Sequence, residues 1–191
     1  RKDQAERLRR GDPKRLGIGM ACYVEMCGFG PYESAIVRVD SSGTVTVYTG
    51  TSAHGQGHET TFAQIVSDHL GVDFDRIQVR HGDTAAIPMG NGTGGSRSVA
   101  VGGTSIYNAT LKVQEKARRI AASMLEAAFE DVVLTDGRYQ VRGAPAKALR
   151  LAEIAAMWED TRDGPDEPFT MTSEIVAVDD ATAVARVEVL Y

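Results

Sequence analysis

The sequence predicts an α+β fold in which antiparallel strand pairs pack with one long amphipathic helix and two shorter ones. Period-two apolar runs come in pairs flanking turn residues, helical stripes stand singly between them, and the strict strand-helix-strand rhythm of a doubly wound sheet is missing. With 191 residues, 42% hydrophobic and 25% charged, the chain has enough apolar material for one or two cores.

Residues 1–14 form a basic N-terminal segment, read as an exposed helix end or a frayed terminus. Leu16–Val24 is β-rich, and Ser34–Asp40 and Thr44–Thr49 form two strands joined across Ser41-Ser42-Gly43. Phe62, Ile65, Val66 and Leu70 mark one face of a helix that stops at Gly71, and Ile77–Arg80 reads as a strand. Beyond the glycine-rich stretch 88–103, Ile106, Ala109, Val113, Ala117, Ile120 and Met124 recur every three or four residues and predict a helix of about seven turns. Asp136-Gly137 between Val132-Val133-Leu134 and Tyr139-Gln140-Val141 is a hairpin signal. A helix over Leu149–Trp158, a loop over 161–168, and strands over Thr170–Val178 and Ala183–Leu190 complete the main portion, 15–160, and the terminal strands, 169–191. No internal repeat occurs. Because the last residues are an alternating apolar strand, the chain is expected to be part of something longer.

Composition removes several classes of function. A net charge of −5 with scattered basic residues does not make a nucleic-acid footprint. No run approaches the roughly 20 apolar residues of a membrane span. Cys22 and Cys27 are too few for a disulfide framework, so a reducing cytoplasm is the expected compartment. No Gly-x-Ser-x-Gly elbow supports a hydrolase, and His54 and His58 lack the partners of a zinc site.

Chemistry concentrates in two loops. Thr49 to Thr60 runs from a strand through Gly55-Gln56-Gly57 directly into a helix at His58, and a glycine-framed helix start suits an anion or a close-lying ligand. The Gln56 amide either serves a heterocycle or stabilises its own turn. It is neither a P-loop nor a dinucleotide fingerprint. The second loop, Gly90 to Gly103, sets Thr93-Gly94-Gly95-Ser96-Arg97-Ser98 before the long helix. Its glycines and hydroxyls around one guanidinium read as a phosphate-binding nest, the alternative being a flexible surface loop.

Gly55-Gln56-Gly57-His58-Glu59-Thr60, Gly82-Asp83-Thr84 and Gly92-Thr93-Gly94-Gly95-Ser96-Arg97-Ser98, with Leu70-Gly71-Val72 between, closely resemble the molybdenum-binding large subunits of the xanthine dehydrogenase, aldehyde oxidase and carbon monoxide dehydrogenase family. The likeness runs from about Gly11 to Ala156 and makes 15–160 a cofactor-binding portion. It implies a molybdenum hydroxylase that uses molybdopterin cytosine dinucleotide, with Gln56 and its glycines meeting the pterin or dinucleotide and Thr93 to Ser98 cradling pterin and phosphates. It also implies a small-molecule substrate and 2Fe-2S and FAD partner subunits, with the remainder of the large subunit as immediate partner. The family's Gly-Glu motif, which carries the catalytic glutamate, and its Gly-Gly-Gly-Phe-Gly loop do not occur in these residues. The resemblance therefore gives this chain cofactor contacts and no catalytic residue or metal ligand. A non-catalytic pterin- or nucleotide-binding or maturation module stands as the alternative.

Overall fold

The computed structural model describes residues 1–30, 32–87, 89–161, 169–176, 178–179 and 182–183. In chain order the elements are α1 (Lys2–Arg9), β1 (Tyr32–Val39), β2 (Val45–Thr49), α2 (His58–Leu70), β3 (Ile77–Arg80) and α3 (Thr104–Met124). There follow β4 (Val132–Thr135), β5 (Arg138–Val141), β6 (Ala144–Arg150), α4 (Leu151–Thr161), β7 (Phe169–Val176) and the short pair β8 (Val178–Asp179) and β9 (Thr182–Ala183).

The main sheet has the order β3-β2-β1-β7. β1 pairs antiparallel with β2, from Ala35 opposite Thr49 to Val39 opposite Val45, and with β7 on its other edge. The β1–β2 turn is held by Asp40, whose Oδ1 accepts the N–H of Ser42 at 2.9 Å and of Thr44 at 3.1 Å. α2 carries the chain across to β3, which pairs parallel with β2, so one βαβ unit sits inside the α+β fold. Period-two burial puts Ala35, Val37, Val39, Val45 and Val47 on one face of this sheet. Phe62, Val66 and Leu70 of α2 and Ile106, Ala109, Val113 and Ala117 of α3 cover that face. The small residues Ala109, Val113, Ala117 and Ala121 at every fourth position let α3 lie close, and Gln114 Nε2 donates to the His69 carbonyl at 2.6 Å to fix it against α2.

β4, β5 and β6 form a separate antiparallel meander. Its first turn has positive φ at both Asp136 (+50°) and Gly137 (+71°), the twist a two-residue hairpin needs. Arg118 ties α3 to this meander, donating from Nε to the Val132 carbonyl at 2.5 Å while its guanidinium lies 4.1 Å over the Phe129 ring.

Several expectations need correction. Leu16–Val24 belongs to no sheet, because a strand is held by a partner's ladder and no described residue supplies one. The expected helix 149–158 begins later, at Leu151, because Ala144–Arg150 is taken up by β6, a strand hidden in the sequence by alanines and Pro145. α3 alone gives about six turns, and the rest of the expected length is a π-helical turn, Ser98–Gly103, immediately in front of it. Thr161, expected to open a loop, instead ends α4, and the rest of that predicted loop, 162–168, and most of the strand Ala183–Leu190 lie outside the described residues.

Candidate functional site

The two glycine-rich loops meet on one cavity of about 320 Å³, lined by Gln56, His58, Thr93, Gly94, Gly95, Ser96, Ser98 and Val99. Seven of the ten residues picked from the sequence therefore share a surface, and Gly55 and Gly57 stand beside it on either side of Gln56. Among the described residues no carboxylate lines it. A second cavity, about 380 Å³, lies elsewhere between Gly43, Gly71, Gly137 and Arg150 and contains none of those residues.

Two helix starts face the cavity, and the first turn of each leaves N–H groups with no intrahelical acceptor. α2 begins at His58 behind Gly57, whose left-handed φ of +78° turns the chain out of the loop, and no side chain caps it. The π turn that leads into α3 begins at Ser98, again without a side-chain cap. The loops are tied across the cavity floor, since Thr93 Oγ1 donates to the Ser52 carbonyl at 2.6 Å and Ser98 Oγ stands 3.3 Å from Thr93 Oγ1.

The polar side chains differ in what they can offer. Gln56 is exposed, and its Oε1 accepts the His54 N–H at 2.5 Å, which braces the turn and leaves its amide nitrogen to a ligand. His58 is buried and stacked on Phe62 with ring centroids 5.4 Å apart, and its Nδ1 has no partner. Desolvation holds its pKa below the ordinary value and favours the neutral ring. Next to it Glu59 accepts from His81 Nε2 at 2.7 Å, a hydrogen bond that lowers the Glu59 pKa. Ser96, at φ +50°, donates its hydroxyl to Glu25 at 3.1 Å.

Arg97 requires the largest revision. Its side chain is 5% exposed and turned inward, with Nη1 2.8 Å from Glu33 Oε2 and 2.6 Å from the Gly92 carbonyl. Nε donates to Phe29 O at 2.9 Å, and Nη2 donates to the Tyr32 carbonyl. A guanidinium committed in this way is not a free fork for phosphate, and it braces the loop from behind.

Its partner Glu33 was not among the candidates. The carboxylate is fully buried at the start of β1 and also accepts the N–H groups of Asn91 at 3.3 Å and Gly92 at 3.2 Å. Beside it Gly50 and Gly90 touch backbone to backbone, because a Cβ on Gly50 would stand 2.2 Å from Glu33 Oε1 and 2.5 Å from Gly90 Cα. The signal available in the sequence was parity. Glu33 falls in step with Ala35, Val37 and Val39, and a carboxylate on the core-facing positions of a strand needs a buried cation. Thr51, fully buried with an unpartnered Oγ1, was missed as well.

Comparison with known proteins places the chain as a whole in a family. Residues 1–188 match the molybdopterin cofactor-binding domain model. The chain is 40% identical to the 6-hydroxypseudooxynicotine dehydrogenase complex subunit gamma of Paenarthrobacter nicotinovorans, over 87% of this chain and 21% of that protein. It is 38% identical to the carbon monoxide dehydrogenase large chain of Hydrogenophaga pseudoflava, over 82% of this chain and 21% of that one. Among solved structures it resembles reconstituted CO dehydrogenase from Oligotropha carboxidovorans with a TM-score of 0.72 and 32% identity, covering 94% of this chain and 24% of the other. The chain thus spans between a fifth and a quarter of the length of these relatives.

Proposed function

The chain belongs to the molybdopterin cofactor-binding domain family, and from that membership we propose that it forms one wall of the cofactor site in the large subunit of a molybdenum hydroxylase. The proposed enzyme is an oxidoreductase of the carbon monoxide dehydrogenase and xanthine dehydrogenase type. The observation that carries this reading is the shared cavity, which has two uncapped helix starts, small hydroxyls and glycines on its walls and, among the described residues, no carboxylate.

These residues suit an anionic, heterocyclic cofactor. The Gln56 amide nitrogen is available to a pterin edge, and His58, whose Nδ1 is unpartnered, lines the same cavity. Thr93 and Ser98 offer hydroxyls, Gly94 and Gly95 offer bare backbone, and the two helix starts offer N–H groups to phosphate. Two such starts on one cavity suit the diphosphate of a dinucleotide, and we assign the cytosine dinucleotide form to it. When bound, the cofactor supplies two-electron oxidation of substrate at its molybdenum.

This wall binds and orients, and it moves no proton. Its titratable lining residue, His58, is kept neutral by burial and stacked on Phe62. Arg97 and Glu33 act as positioning residues that set the second loop. The proton acceptor, the substrate funnel, and the 2Fe-2S and FAD partners belong to the rest of the enzyme, which we place in the cytoplasm.

Gly94→Leu tests the proposal. Gly94 lines the cavity, a Cβ there would meet nothing within 4 Å, and its φ is not positive, so leucine fills the cavity with little strain. Molybdenum and acid-released CMP in the purified large subunit are expected to fall at least tenfold while the melting temperature holds. Unchanged cofactor content would overturn the assignment.

A further inference from the structure

We infer that Leu16–Met26 is an unpaired β-strand that is completed by a strand from the remainder of the large subunit; the inference rests on the reading that this chain is one part of such a subunit. Ile18 is 84% exposed, Met20 94% and Val24 95%, and with Leu16 and Met26 they occupy alternate positions. Single exposed apolar side chains are ordinary, but a contiguous row of them at strand spacing is not. Among the described residues no backbone hydrogen bond holds 15–27. The segment presents what an added strand needs, a free ladder edge and an apolar row.

The segment is already stitched to the cofactor wall at its end. Gly28 N–H donates to Ser96 O at 3.1 Å, Phe29 N–H to Gly95 O at 3.3 Å, and Glu25 accepts from Ser96 Oγ at 3.1 Å. At its beginning, Leu16 and Ile18 line a groove of about 290 Å³ with Ala5 and Leu8 of α1. The relatives supply the occupant, because roughly three-quarters or more of their length lies outside the match. A strand docked along 16–26 would sit against the loop that lines the cavity, so covering the apolar row also closes one side of the cofactor site.

Cys22 lies exposed in the middle of the row and reports on it. The test compares the 191-residue chain alone with the complete large subunit, measuring Cys22 alkylation and amide exchange over residues 17–26. Both rates are expected to fall at least tenfold in the complete subunit. Met20→Asp with Val24→Asp should leave the circular dichroism and melting temperature of the lone chain unchanged, since both side chains are exposed, and should abolish the protection and the association. Rates that are equal in the two samples would overturn the inference. So would protection of the lone chain that grows with its own concentration, which would mean a second copy, or protection by anionic lipid vesicles. Molybdenum measured in the same samples separates the two readings. Protection without molybdenum would sink the cofactor assignment alone, and molybdenum with an unprotected strand would sink this inference alone.

Discussion

Replacing Glu33 with Gln puts an amide of the same shape into a site built for a carboxylate. The native oxygens receive Arg97 Nη1 at 2.8 Å and the N–H groups of Asn91 and Gly92 at 3.3 and 3.2 Å from one loop, and the Ser34 N–H of β1 at 3.3 Å. In the variant one oxygen becomes an NH2 group that faces other donors, and the guanidinium stays buried without its counter-charge. Losing one partner of a buried pair costs about 3–5 kcal/mol, whereas an exposed helix pair such as Arg119–Glu115 is worth about 0.3–0.5 kcal/mol. Against a total stability of about 5–15 kcal/mol and a urea slope of about 2–3 kcal/mol per M, the unfolding midpoint should drop by about 1–2.5 M. Equilibrium urea denaturation followed by far-UV circular dichroism measures it, with Arg119→Ala as a control that should barely move. The double variant Glu33→Leu with Arg97→Met should recover at least half of the loss, because no lone charge remains inside. A Glu33→Gln midpoint within about 0.3 M of the native one would refute the account of this pair.

Other substitutions probe the remaining features. Gly50→Ala should cost at least about 1–3 kcal/mol by forcing the two loops apart, and a melting temperature unchanged from the native chain would contradict the close approach to Gly90. Because burial lowers the His58 pKa, the unfolded chain binds that proton more readily, so the stability present above about pH 6.5 declines as the pH falls below it. His58→Gln should flatten urea midpoints measured between about pH 7 and pH 5, and an unaltered slope would show that another group is responsible. The Glu59–His81 contact acts in a lower window, below about pH 4.5. Tyr139→Phe removes a buried hydroxyl that has no partner and should raise the melting temperature by about 1–3 °C, a loss of several degrees arguing for a hidden acceptor.

Elements with strong periodicity were legible in the sequence. The α3 stripe, the α2 stripe ending at Gly71 and the Asp136-Gly137 hairpin each rest on local chemistry, so local reading sufficed. The two loops were also legible as glycine-rich entries to helices, and the structure brings them onto one cavity. What was not legible depended on partners far along the chain. Arg97 looked like an open fork until Glu33, 64 residues away, filled it. Leu16–Val24 has the pattern of a strand, but pattern cannot say whether a partner is present. β6 was hidden because alanines and a proline carry little strand preference and its pairing with β5 is what holds it.

The contact between Gly50 and Gly90 has a consequence in time. The second loop takes its position from Glu33 and from the end of β2, so its shape exists only after β1 and β2 have paired and a segment of some 58 residues has closed back on them. Such long closures come late, after the local helices and hairpins have formed. The cavity is therefore among the last features to appear as the chain matures, and a half-folded intermediate has no finished nest to present. A ligand that needs both loops in place can therefore bind only after the core has formed.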